Sequence, residues 1–184
     1  TGTFLVAAAI TKGNVLVKNV IHEHVESVLA KLAEAGIGVE VGADRIKVNG
    51  KKKWQGVNIK TLPYPGFATD MQPQLMTFLS IAQGTSVITE TIFENRLRHA
   101  DELRRMGANI RIEGNSAVVK GVEKLSGATV EATDLRAGAA LILAGLAAEG
   151  QTTIENIYHI DRGYEKLEEK LSGLGADISR INKD

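Results

Sequence analysis

The sequence predicts an α/β fold: a closed arrangement of three repeated helix–strand–helix–hairpin units around a shared core of buried helices. Three observations carry this. Three stretches align with one another, "GNVLVKNVIHEHVESVLAKLAEAGIGVEV" from Gly13, "GTSVITETIFENRLRHADELRRMGANIRI" from Gly84 and "GQTTIENIYHIDRGYEKLEEKLSGLGADI" from Gly150, their first glycines 71 and 66 residues apart. Each copy is preceded by a segment that is apolar on every side: "FLVAAAI", "LMTFLSIA" and "AALILAGLAA". Within each copy the apolar residues then recur at helical spacing. Such self-similarity is the mark of a repeat architecture, and units this long and this few suit a closed fold better than an open solenoid.

Each element has its reason. A helix apolar all round has to be buried all round, so the three apolar segments predict one shared helical core. A strand follows, with alternating apolar positions such as Val15/Val17 and Val87. An amphipathic helix comes next. Its inner positions are Val25, Val28, Leu29 and Leu32 in copy one, Leu97, Ala100, Leu103 and Met106 in copy two, and Tyr164, Leu167, Leu171 and Leu174 in copy three. These are steps of three and four. Gly36, Gly107 and Gly175 close these helices, as a left-handed C-cap requires. Hairpins complete copies one and two, turning at Gly42-Ala43-Asp44 and at Gly114-Asn115. The links "GKKKWQGVNIKTLPYPG" and "KGVEKLSGATVEA" read as surface connections; Lys51–Lys53 form a solvated turn and Trp54 is their one anchor. Residues 1–184 are thus expected to be a single domain with repeats at about 1–50, 66–121 and 130–182.

Composition excludes several classes. Lys+Arg and Asp+Glu both number 22, which leaves no electrostatic footprint for nucleic acid or an anionic membrane. With no cysteine, a disulfide framework, a thiolate metal site and a Cys nucleophile within this chain are all excluded. The longest apolar run, 137–148, falls short of the roughly 20 residues of a membrane span. The opening "TGTFLVAAAI", already apolar and without Met, predicts a fragment of a longer protein.

Charge follows the repeats. "ATD" occurs at 68–70 and 132–134, each time opening an apolar helix. Arg96 and Arg162 both stand 12 residues after their repeat's first glycine, and both are expected at a helix start, as is Arg136. Copy one has Val25 at that offset, so the fold itself does not demand a charge there. Arginines at repeat-related helix starts, with free backbone N–H groups, suit a phosphate or carboxylate. An aspartate beside such an anion can take a proton from a substrate hydroxyl. Two plainer readings stand beside this one: Thr-Asp ahead of a helix is also capping chemistry, and the arginines could pair with Asp134 or Glu94. The histidines say less. His22 and His24 have no partner at metal-ligand spacing, His99 is expected on an exposed helix face, and His159 in a structural role near Arg162.

Five motifs in order, "GTFLVAAAITKG", "GFATDMQPQ", "TIFENR", "ATDLRAGAAL" and "HIDRGYE", closely resemble the enolpyruvyl transferases, and among them the UDP-sugar branch. The resemblance spans essentially the whole chain. It implies an inside-out α/β barrel of three repeated units. It also implies transfer of enolpyruvyl from phosphoenolpyruvate to the 3-hydroxyl of UDP-N-acetylglucosamine, through a tetrahedral intermediate, at the first committed step of peptidoglycan synthesis in the bacterial cytoplasm. Carried over residue by residue, it makes Asp70 the proposed base at the sugar 3-hydroxyl and Arg162 a phosphoenolpyruvate ligand. Arg96 and Arg136 surround the same anionic groups, Ile92 and Phe93 line the UDP-sugar site, and Asp134 lies beside the reacting centre. No metal and no cofactor is implied, and neither nucleic acid nor membrane is a partner. The departure is length. This chain is one domain of two; the companion domain, with a mobile loop bearing the family's catalytic cysteine and the general-acid candidate, is absent, as is an N-terminal Lys-Asn pair. The chain alone is therefore expected to fold without turning over. A shikimate 3-phosphate-type transferase domain and a non-enzymatic binding module of the same fold stay open as alternatives.

Overall fold

In the computed structural model, which describes residues 1–51 and 53–181, the first apolar segment is helix α1 (Gly2–Ile10). Strand β1 (Asn14–Lys18), helix α2 (Glu26–Glu34) and the hairpin β2 (Gly38–Val41)–β3 (Arg45–Asn49) follow. A link then supplies the short strand β4 (Ile59–Lys60) before α3 (Gln72–Leu79), β5 (Thr85–Thr89), α4 (His99–Arg105) and the hairpin β6 (Asn109–Glu113)–β7 (Ser116–Lys120). The last part runs β8 (Thr129–Glu131), α5 (Leu135–Ala147), β9 (Thr153–Glu155), α6 (Tyr158–Asp161) and α7 (Leu167–Gly173).

α1, α3 and α5 pack on one another at the centre. Every residue of α3 is buried, as are Ala137–Ala144 of α5 and all of α1 except Phe4. The small residues Ala7–Ala9, Gly138, Ala139 and Ala140 let the helix backbones approach closely, while Leu5, Leu75, Phe78 and Leu141 fill the space between them. Burying one such leucine is worth about 1.5–3 kcal/mol. Buried polar groups are partly satisfied across helices: the Thr77 hydroxyl donates to the Ala140 carbonyl at 3.3 Å, and Gln74 Nε2 to the Thr3 hydroxyl at 3.4 Å.

Three sheets surround this core, ordered β1-β3-β2, β4-β5-β7-β6 and β8-β9. β4 runs parallel to β5, and β8 to β9, each pair joined through a buried helix. This is the inside-out α/β barrel expected from the sequence. The outer helices bury the predicted stripes: Val28, Leu29 and Leu32; Ala100 and Leu103; Leu167 and Leu171. Gly36, Gly107 and Gly175 take φ of +94°, +91° and +97°, and the next residue's N–H returns to Leu32, Leu103 or Leu171 at 2.9–3.1 Å. A Cβ would strain that backbone in all three turns.

Several expectations need correction. Val87 points outward, with Ser86 and Ile88 facing in, so the strand's register is one residue from the expected one. The links are more than surface connections. Trp54 is buried, stacked on Phe78 at 4.8 Å and donating to its carbonyl, while Ile59 and Leu125 enter the core. Lys51 and Lys53 are exposed, and residue 52 lies outside the described residues. In the third copy the helix breaks in two. Lys166 adopts left-handed φ (47°) between α6 and α7, which leaves Tyr164 ahead of α7 and Leu174 exposed beyond it.

Candidate functional site

The N-terminal ends of α1, α3 and α5 meet. A Cβ on Gly2 would lie 2.7 Å from Met71 Sδ, immediately before α3. The Thr3 hydroxyl is 2.8 Å from the Tyr164 hydroxyl, and Tyr164 in turn is 3.5 Å from Nη1 of Arg136 at the start of α5. Each helix brings partial positive charge to this end, worth about 0.3–1 kcal/mol apiece to a nearby anion.

Asp70 stands at the junction, in the 3-10 turn Thr69–Met71. Arg96 Nη2 donates to its Oδ1 at 3.1 Å and Arg136 Nη2 to its Oδ2 at 2.7 Å. One carboxylate thus holds two guanidinium groups from different copies. The identical string at 132–134 behaves otherwise. Asp134 caps α5, its Oδ1 accepting from the backbone N–H of Arg136 at 2.7 Å and of Ala137 at 2.9 Å. The reason is local. Such a cap uses the N–H groups two and three residues on; three residues after Asp70 comes Pro73, which has none. Proline in "TDMQPQ" removes one of the donors that would claim Asp70 as a cap. Capping therefore describes Asp134 and not Asp70, and the arginines pair with Asp70 rather than with Asp134 or Glu94.

Magnitudes decide what this pairing means. Asp70 is half-exposed, and ion pairs of that exposure contribute about 0–1 kcal/mol each. Each guanidinium carries five N–H donors, of which Asp70 takes one apiece. Both arginines can therefore turn donors toward an arriving anion at small cost. Burial works against the charge of Arg136, but its hydrogen bond and attraction to Asp70, with Tyr164 adding, hold its pKa above the usual guanidinium value. Arg96 lies 5.3 Å over the Phe93 ring, a cation–π arrangement. Phe93 and Ile92 are exposed beside it, next to a groove of about 580 Å³ lined by Glu90, Phe93, Arg96, Arg98, Ile112 and Asn115.

The structure thus gathers Asp70, Arg96 and Arg136, with Asp134, Ile92 and Phe93 beside them. Arg162 differs. It caps the C-terminus of α6 rather than opening the amphipathic helix, and it is exposed, with no hydrogen-bond or ion-pair partner among the described residues. A Cβ on its neighbour Gly163 would meet Leu135, the first residue of α5, at 2.7 Å, so Arg162 is carried to the same end of the molecule. Arg96 is likewise not at a helix start; it lies in the turn ahead of α4. Of the three arginines only Arg136 occupies a helix start.

Two further groups were misjudged. His99 is 2% exposed rather than on an open face. Burial drives its pKa from 6.5 to about 4, against the opposing pull of Asp134 and a hydrogen bond to the Arg96 backbone. Tyr164, expected as a core residue, is the hinge of the Thr3–Arg136 contact. A hydroxyl on an otherwise aliphatic stripe was the one signal of it. Among the described residues no group of three His, Asp or Glu side chains is placed to hold a metal ion, and no helix is long and apolar enough to cross a membrane.

The three-repeat barrel, with Asp70 holding Arg96 and Arg136 where its core helices begin, has the architecture of an enolpyruvyl transferase domain. The chain belongs to the EPSP synthase (3-phosphoshikimate 1-carboxyvinyltransferase) family, whose sequence profile matches residues 1–171. Among its relatives, the UDP-N-acetylglucosamine 1-carboxyvinyltransferase 1 of Caldanaerobacter subterraneus subsp. tengcongensis is 62% identical over 97% of this chain and 43% of its own length. A UDP-N-acetylglucosamine 1-carboxyvinyltransferase of Desulfofundulus thermocisternus is 58% identical over the whole chain and 75% of its own length. Among solved structures, the enolpyruvyl transferase NikO from Streptomyces tendae superposes with a TM-score of 0.86 at 31% identity, over 96% of this chain and 42% of that one. The chain spans about two fifths of the length of curated relatives such as the first of these.

Proposed function

We propose that this chain is the acceptor-side domain of a UDP-N-acetylglucosamine 1-carboxyvinyltransferase, working with a companion domain at the cleft between them. The observation that carries the reading is Asp70, uncapped and held between Arg96 and Arg136 where three helix N-termini converge. The names of relatives at 58–62% identity favour the UDP-sugar acceptor over shikimate 3-phosphate. The zero net charge speaks against a nucleic-acid-binding module. With this reading come a single three-repeat domain over residues 1–184, a bacterial cytoplasmic setting and a place at the entry to peptidoglycan synthesis.

The chemistry follows from the groups. Asp70 accepts the proton of the sugar 3-hydroxyl as that oxygen bonds to C2 of phosphoenolpyruvate, while C3 gains a proton from a group outside this chain. The resulting tetrahedral adduct loses phosphate and a C3 proton, which restores the double bond as an enol ether. Arg96, Arg136 and Arg162 neutralise the carboxylate and phosphate of the donor; the Arg162 side chain, without a partner among the described residues, is free to do so at once. Ile92 and Phe93 give an apolar face to the nucleotide sugar, and Asp134, beside the reacting centre, also fixes the start of α5 and with it Arg136.

The test is phosphate release by the full-length protein carrying this chain. Phosphoenolpyruvate with UDP-N-acetylglucosamine should support turnover, and phosphoenolpyruvate with shikimate 3-phosphate should not. The reverse preference would transfer the chain to the shikimate branch, and release with neither acceptor would remove it from the enzymes.

A further inference from the structure

Glu90 is a carboxylate with 3% exposure and, among the described residues, no counter-ion. Instead it gathers four donors. Its Oε1 accepts from the Thr61 hydroxyl at 2.9 Å and from the backbone N–H groups of Ile92 and Phe93 at 2.9 and 3.2 Å; its Oε2 accepts from the Thr69 hydroxyl at 2.9 Å. Thr61, so engaged, also accepts from the Thr91 N–H at 2.8 Å. A carboxylate offers about four acceptor positions and no donor, so it matches this set of N–H and O–H groups. Removing it would leave these buried donors without an acceptor.

The consequence lies in what these donors carry. Turning the N–H groups of Ile92 and Phe93 inward throws both side chains outward, where they are exposed. Phe93 then supports Arg96. Thr69 is the residue before Asp70. We propose that Glu90 is a positioning residue that locks the Ile92–Phe93 platform and the Asp70 turn into one frame, so that acceptor sugar nucleotide and base meet in fixed register. This rests on the acceptor-site reading of Ile92, Phe93 and Asp70 given above. Glu90 touches no substrate in it and acts only through Thr69 and the loop.

The geometry separates two variants. Glu90→Ala removes every acceptor. Glu90→Gln keeps Oε1 for Thr61, Ile92 and Phe93, and the Thr69 hydroxyl can rotate to accept from the new amide. In the full-length protein, Glu90→Ala should weaken UDP-N-acetylglucosamine binding at least tenfold, measured by calorimetry, while KM for phosphoenolpyruvate moves less than threefold. Glu90→Gln should recover acceptor affinity to within about threefold of wild type. A folded Glu90→Ala that binds the acceptor within twofold of wild type overturns the proposal, as does an equal loss for both substrates. Should Glu90→Ala not fold, Thr69→Val decides: it cuts only the link to the Asp70 turn and should lower kcat at least fivefold with acceptor affinity held, and unchanged kcat overturns the proposal. If wild type itself fails to bind the sugar nucleotide, the functional reading fails separately. Amide exchange at Ile92 and Phe93 still tests Glu90, slow in wild type and at least tenfold faster in Glu90→Ala; equal rates refute the frame.

Discussion

His99 should make this fold sensitive to acid. His99 sits in α4 with Nε2 buried and unpartnered, flanked by Arg96 and Asp134, and burial lowers its pKa from 6.5 to about 4. The folded chain therefore binds the imidazole proton less tightly than the unfolded chain does. Between pH 6.5 and about 4 the unfolded state carries more protons, so stability rises with pH across that window and is lost as pH falls through it. At about 1.4 kcal/mol per pKa unit, the loss approaches about 3 kcal/mol below pH 4 and is about 2 kcal/mol at pH 5. Replacing His99 by Gln keeps a neutral donor at the site and removes the titration. Urea unfolding of wild type and His99→Gln at half-unit steps from pH 8 to 4 should give curves that diverge below pH 6.5, wild type falling faster. Asp161 and Glu168, whose pKa values Arg180 lowers against the opposing effect of burial, are common to both proteins and cancel in the difference. Parallel curves between pH 6.5 and 4 would refute the reasoning and place His99 in contact with water.

Other perturbations have definite outcomes. Leu103→Ala, at a fully buried position on the inner face of α4, should cost about 2–5 kcal/mol in denaturant titration. Gly107→Ala should cost about 1–2 kcal/mol with no steric clash, because the space beside it is open and only the φ of +91° objects. Arg162→Ala in the full-length protein should raise KM for phosphoenolpyruvate tenfold or more and leave acceptor affinity within twofold. The 184-residue chain alone should release no phosphate above background, because groups from both sides of the cleft have to be positioned together.

Much of the fold was legible because burial writes itself into composition. Three segments apolar on every face could only be core, and glycines after the outer helices could only be C-caps. What sequence periodicity could not supply was the side of a short strand that faces inward: in "TSVIT" the buried pair is Ser86 and Ile88, because the β7 register sets the face, not hydropathy. The cluster of Asp70, Arg96 and Arg136 was legible as a set of residues and not as a geometry. Asp70 and Asp134 share the same tripeptide, and Pro73 alone in the sequence signals that one of them does not cap. Arg162 was misplaced because the left-handed turn at Lys166 has no residue-type signature. Glu90 was passed over and His99 was put on an exposed face because their burial depends on strands and helices far away in the chain.

Asp70→Asn in the full-length protein probes the central chemistry most directly. The amide keeps the shape and still accepts from one arginine, but it cannot take a proton from the acceptor hydroxyl. kcat with phosphoenolpyruvate and UDP-N-acetylglucosamine should fall roughly 10²–10⁴-fold while KM for phosphoenolpyruvate stays within a few-fold. A variant turning over within threefold of wild type would show that the proton goes elsewhere and that Asp70 serves only to hold two arginines in place.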